Sequence, residues 1–141
     1  MARFRLEFYA DATGDQPVLR WLRDELTPTQ RRAIGVALRE ILEIEGVGVC
    51  RGSYGKQLGG GLFEFRLCHD AGEILRSVGK PARAEPHGER VLLRVFCHAY
   101  GDRLILLLGG YDKGADPSTR RQQREIAEAR SRLIDFRRRH P

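Results

Sequence analysis

Leu104-Ile105-Leu106-Leu107-Leu108-Gly109-Gly110-Tyr111-Asp112-Lys113 is the stretch on which the reading of the chain turns. Five consecutive large apolar residues closed by a glycine pair are short for a helix. They fit a strand buried on both faces, and so an interior one. At its end the chemistry changes to a tyrosine, an aspartate and a lysine, and a rigid strand delivering polar groups there is a sound way to build a site. Working upstream, Val91 to His98 reads as another strand, joined to the first through His98-Ala99-Tyr100-Gly101-Asp102 as a hairpin. Before it, Leu62-Phe63-Glu64-Phe65-Arg66-Leu67 alternates, with Phe63, Phe65 and Leu67 on one face and Glu64 and Arg66 on the other.

The N-terminal part supplies a strand and two helices. Arg3 to Tyr9 alternates, with Phe4, Leu6 and Phe8 on one face. Pro17 fits the first turn of a helix capped near Asp15, and Val18, Leu22 and Leu26 give it a stripe. Thr27-Pro28-Thr29-Gln30 predicts the second helix start, with Thr27 as cap and Gln30 at the third position. Ile34, Ala37, Leu38, Ile41 and Ile44 make its stripe and Gly46 ends it. Asp116-Pro117 opens a last helix, in which Ile126, Ala129, Leu133 and Phe136 share a face and arginines occupy the rest. The expectation is an α+β domain spanning 1–141. It has a small, mostly antiparallel sheet, an N-terminal helical hairpin and a C-terminal basic helix.

Composition bounds the function. The 41% apolar and 8% aromatic content suits a globular chain. No stretch approaches a membrane span, the N-terminus carries no signal-peptide pattern, and three cysteines have no disulfide spacing, so a cytoplasmic location without a membrane is expected. Residues 113–141 hold nine Lys or Arg against four Asp or Glu, almost all of the net charge of +6. That asymmetry suggests a polyanionic partner. Arginine outnumbers lysine 22 to 3, which suits bidentate phosphate contacts, although a GC-rich genome gives the same bias.

Several motifs lead elsewhere when weighed. The helical hairpin invites a helix-turn-helix reading with Arg31, Arg32 and Arg39 in a groove, but its flanks read as strands. Val47 to Gly61 is a glycine-rich, basic loop. Its Gly55-Lys56 resembles the end of a phosphate-binding motif, yet Gln57 stands where Ser or Thr is required. Ala71 to Arg90 reads as a long surface excursion. Cys68-His69 and Cys97-His98 suggest a zinc site, but neighbouring strand residues face opposite ways, so no metal is expected.

The order strand, two helices, three strands and basic helix, together with Lys56-x-Leu58, Gly61-Leu62-Phe63-Glu64-Phe65-Arg66, Arg94-Val95-Phe96 and Leu106 to Lys113, resembles the RelE/ParE superfamily of type II toxins. The HigB-like branch is the nearest in pattern, and Glu125-Ile126-Ala127-Glu128-Ala129-Arg130-Ser131-Arg132 matches its usual final helix. The resemblance implies a toxin that cuts mRNA on the ribosome, needs no cofactor, and is held by a cognate antitoxin, a small helix-turn-helix protein. Two departures stand out: Gly114 replaces a second lysine, and the 71–90 excursion exceeds the usual short hairpin. Gyrase poisoning on the same fold, or a non-catalytic nucleic-acid- or protein-binding module, are the alternatives.

Metal-free RNA cleavage needs a proton acceptor for the 2′-OH, cations on the phosphorane and a donor to the leaving oxygen. Arg66 and Arg94 on neighbouring strands are expected to clamp the phosphate, Lys56 and Lys113 to trade protons, and Tyr111 to stack on a base or orient the attacking group. Arg120, Arg121 and Arg124 are the expected RNA contacts on the last helix. His98, on the strand face of Arg94, is a further proton-transfer candidate. The plainer alternative makes Arg66 a partner of Glu64 or Asp112 and leaves Lys113 a solvated turn residue.

Overall fold

A computed structural model of the chain describes residues 3–68, 73 and 90–141. The elements are β1 (Arg5–Phe8), α1 (Pro17–Asp24), α2 (Pro28–Ala37), β2 (Gly55–Gly59), β3 (Leu62–Cys68), β4 (Leu92–Tyr100), β5 (Leu104–Asp112) and α3 (Thr119–Arg139). One five-stranded sheet runs in the order β1-β5-β4-β3-β2, with β1 parallel to β5 and every other pair antiparallel. This is the α+β architecture expected, with a helical pair first and a basic helix last. It has one strand more than expected, because β2 lies inside the stretch that reads as a loop. The 71–90 excursion, apart from residues 73 and 90, and His69 lie outside the described residues.

The alternation of β3, β4 and β5 puts apolar residues on both faces of the sheet, and each face carries its own core. On one side Trp21, Ile34, Leu42, Phe63, Phe65, Leu93, Val95 and Leu107 pack beneath α1 and α2. On the other, Leu62, Phe96, Leu106, Leu108, Tyr111, Ala129 and Leu133 pack beneath α3. β5 is an interior strand covered on both faces, as its apolar run implies. The glycine pair does not end it, however, since the strand continues to Asp112.

The local signals at helix starts are partly displaced. The capping box at Thr27 forms as read: Gln30 N donates to Thr27 Oγ1, and Thr27 N donates to the Gln30 side chain. Asp15 does not cap α1. Gln16 stands at the cap without a side-chain bond, while Asp15 pairs with Arg20. Likewise Ser118, not Asp116, caps α3 by accepting from Arg121 N, and Asp116 accepts from Ser118 N in the turn before it. Beyond α2 the chain winds through a π turn at Leu38–Leu42 and a last α turn at Glu43–Glu45. The wider turn shifts the buried stripe. Leu42 is therefore fully buried and Ile44, expected inside, is 47% exposed. Among the described residues no helix is long and apolar enough to cross a membrane.

Candidate functional site

Register builds the site. Directly paired residues share a face of a sheet. Arg66 on β3 pairs with Arg94 on β4, and Arg94 with Tyr111 on β5, so the three form one row about 5 Å apart from strand to strand. One step along, Lys56 on β2 pairs with Glu64 on β3 and stands on the same face. That face is the one α3 covers. Four of the five expected catalytic residues are thus brought together. The fifth, Lys113, follows directly after the end of β5 and is half-exposed.

Tyr111 reaches this row only because β5 contains a bulge. The pairing steps from Phe96↔Gly109 to Cys97↔Leu107, leaving Leu108 without a partner on β4. An extra residue inverts the alternation beyond it. Leu106 and Leu108 therefore face α3, and so does Tyr111, three residues further on. Arg132 from α3 donates to the Leu108 carbonyl at 2.9 Å. On the opposite face Gly110 lies against Trp21, where an added Cβ would sit 2.4 Å from the ring. The glycine pair thus accommodates a bulge and an indole.

A carboxylate organises the cations. Glu64 is fully buried, accepts from Arg66 Nε at 2.7 Å through Oε1, and has Arg94 Nε 3.4 Å from the same oxygen. Its Oε2 accepts from Gln122 of α3 at 3.2 Å. The plainer expectation, Arg66 paired with Glu64, is therefore what the structure shows, and Arg66 keeps its place in the row as well. Asp112 instead accepts from Gln30 on the α2 side.

Two buried donors in this row make no hydrogen bond, Arg94 Nε keeping only its ion pair with Glu64. Arg94 is 8% exposed; Nη1 reaches the Leu93 carbonyl at 3.3 Å, but Nε makes no hydrogen bond. The Tyr111 hydroxyl, 1% exposed, has none either. Burial pulls the Arg94 guanidinium below the usual arginine value, opposed by the Glu64 carboxylate. Burial, then Glu64, pushes the Tyr111 phenol up, so it remains a hydroxyl donor at neutral pH. Arg121 lies over the Tyr111 ring, 5.3 Å from its centroid, and pairs with Glu125. Arg66, with its side chain 31% exposed, is the most open member of the row.

The other expected contacts divide. Arg120 and Arg124 are exposed, while Arg121 is turned inward onto Tyr111. Helical geometry sets Arg120 about 200° around α3 from Gln122, on the side away from the sheet. Further along, α3 spends its arginines on backbone. Arg130 donates to the Leu58 and Gly59 carbonyls, Arg137 to Gly60 and Arg139 to Ala10. The Arg130 and Arg137 bonds fix the β2–β3 turn, whose Gly59, Gly60 and Gly61 all have positive φ, while Arg139 holds the segment after β1. His98 also serves that turn through a 2.7 Å contact between Nδ1 and the Gly61 carbonyl, and it stacks on Tyr100. Cys97 is buried beneath α1 and α2, on the face opposite His98, so this pair does not converge on one ligand. Gln122 carried no functional signal in the sequence beyond a polar helix face, and Glu64 entered only as the plainer partner of Arg66 and within the quoted motif.

No protein-family model matches the chain, and no curated protein matches it.

Proposed function

We propose that the chain is a toxin-type endoribonuclease that cuts messenger RNA on the ribosome without metal, as its resemblance to RelE/ParE-like toxins implies. The observation that carries this reading is the Arg66–Arg94–Tyr111 row, in which the Tyr111 hydroxyl is buried without a partner and Arg94 Nε has no hydrogen bond beyond its 3.4 Å ion pair with Glu64. An unpaired buried donor costs about 1–3 kcal/mol, and such costs concentrate where a ligand will supply the acceptor. A phosphodiester seated at Arg66 would supply it.

In this role the two guanidiniums hold the phosphate and stabilise the charge that builds on its equatorial oxygens. The Tyr111 hydroxyl, fixed among Phe96, Arg94 and Arg121, orients a phosphate or sugar oxygen by donation. Lys56, exposed on the neighbouring strand, and Lys113, at the strand end, are the groups at the rim for proton transfer, one taking the proton of the attacking 2′-OH and the other giving a proton to the leaving oxygen. Arg120 and Arg124 extend the cationic surface for the RNA strand. The partners that follow are a cognate antitoxin, the ribosome and its message.

Induced expression should arrest growth, with cuts inside translated messages on primer extension. Arrest with intact messages and a DNA-damage response would select gyrase poisoning instead. An unchanged phenotype after Arg66→Ala with Lys113→Ala would select a non-catalytic binding module.

A further inference from the structure

Glu64 is an unexpected residue to find at the centre of an anion site, since it repels what the arginines attract. Its geometry explains the placement. It meets Arg66 and Arg94 at Nε through a single oxygen, the side of each guanidinium rather than its forked end. One carboxylate therefore fixes the separation and roll of two cations. Gln122 holds its second oxygen, so the carboxylate is anchored from both the sheet and α3. The pairing also leaves Arg66, Arg94 and Glu64 with a summed charge of +1. Lys56 and Lys113 stand out at the rim where solvent screens them, so at the buried inner end of the row, where charge imbalance is costly, that sum matches one negative charge better than two.

We propose that Glu64 is the positioning residue of this site, setting the charge of the arginine pair so that it takes a singly charged phosphodiester over a doubly charged phosphomonoester. The inference rests on the proposed function for its ligand class and deepens it: the site selects an internal linkage and passes over free phosphate and chain-end phosphates. Arg66, the more open side chain, is the entry, and Arg94 is the inner contact.

The test is binding by the full chain, with no cleavage required. The probes are a 2′-O-methylated dinucleoside monophosphate, which carries one phosphodiester and no 2′-OH, and inorganic phosphate at pH 8, mostly a dianion. Wild type should bind the dinucleotide about tenfold or more tighter than phosphate. Glu64→Gln, which keeps the shape and raises the summed charge to +2, should shift that ratio about tenfold towards phosphate. Glu64→Asp, which keeps the charge but shortens the reach, should weaken dinucleotide binding severalfold and preserve the preference. Phosphate binding wild type as tightly as the dinucleotide would overturn the proposal, and that arm needs no variant to fold. A folded Glu64→Gln with an unchanged ratio would reduce Glu64 to a structural ion pair. Dinucleotide binding without message cleavage would sink the endonuclease reading alone, and cleavage without diester preference would sink this one alone.

Discussion

Glu64 carries the heaviest electrostatic obligation of any single residue described. Fully buried, it compensates Arg66 and the nearly buried Arg94. Removing one partner of a buried pair leaves an uncompensated charge, at a cost of about 3–5 kcal/mol. Glu64→Leu should therefore lower urea-unfolding stability by about that amount, and adding Arg94→Leu should restore much of it. The glycines make a second contrast. An added methyl at Gly110 meets the Trp21 ring, so Gly110→Ala should cost about 1–3 kcal/mol. At Gly35, exposed within α2, nothing lies within 4 Å of an added Cβ. Gly35→Ala should stabilise by about 0.5–1 kcal/mol in the same denaturation series.

At the scale of the elements, legibility followed sequence distance. The Thr27 capping box spans three residues and was readable in full, as was the α3 stripe of Ile126, Ala129, Leu133 and Phe136. β2 was not, because Gly-Lys-Gln-Leu-Gly has neither β-branched residues nor clean alternation, and only its pairing with β3 makes it a strand. A glycine pair is a local stop signal, so the bulge at Leu108 and the Trp21 contact, both set by distant partners, were hidden. The row of Arg66 and Arg94 followed from neighbouring strands, but the Glu64–Gln122 contact depends on how α3 lies over the sheet. For the same reason the basic helix reads as a polyanion footprint, although the carbonyls bonded by Arg130 lie 71 and 72 residues away in sequence. Arg130→Ala should cost about 1–2 kcal/mol and speed amide exchange in the β2–β3 turn. Arg124→Ala should leave stability within about 0.5 kcal/mol of wild type and lower the salt slope of RNA binding by about one.

Across the whole molecule, the α3 face of the sheet is held by polar links as well as by its core. Tyr9 at the end of β1 donates to Asp135 near the end of α3. Tyr100 on β4 reaches across β5 to donate to Glu7 on β1. Burial first, then the bond to Glu7 and its charge, pushes the Tyr100 phenol from 10.0 to about 12. A phenol with a raised folded-state pKa favours the fold fully below its unfolded value and ceases to do so as pH climbs through the folded one. Stability should therefore fall between pH 10 and about 12, and Tyr100→Phe should flatten that limb of the stability–pH profile.

With Arg130, Arg132, Arg137 and Arg139 committed to backbone, the exposed cations among the described residues include Lys56 beside the row and Arg120 and Arg124 on the outer side of α3, with Lys113 half-exposed at the strand end. The central claim is that β3, β4 and β5 hold Arg66, Arg94 and Tyr111 in register to cut RNA. The most direct measurement is primer extension on a message translated by purified ribosomes, with wild type and Arg66→Ala added in parallel. Discrete cuts are expected with wild type and a loss of about a hundredfold or more with folded Arg66→Ala. Messages left intact by wild type, or cut equally by both proteins, would contradict the claim.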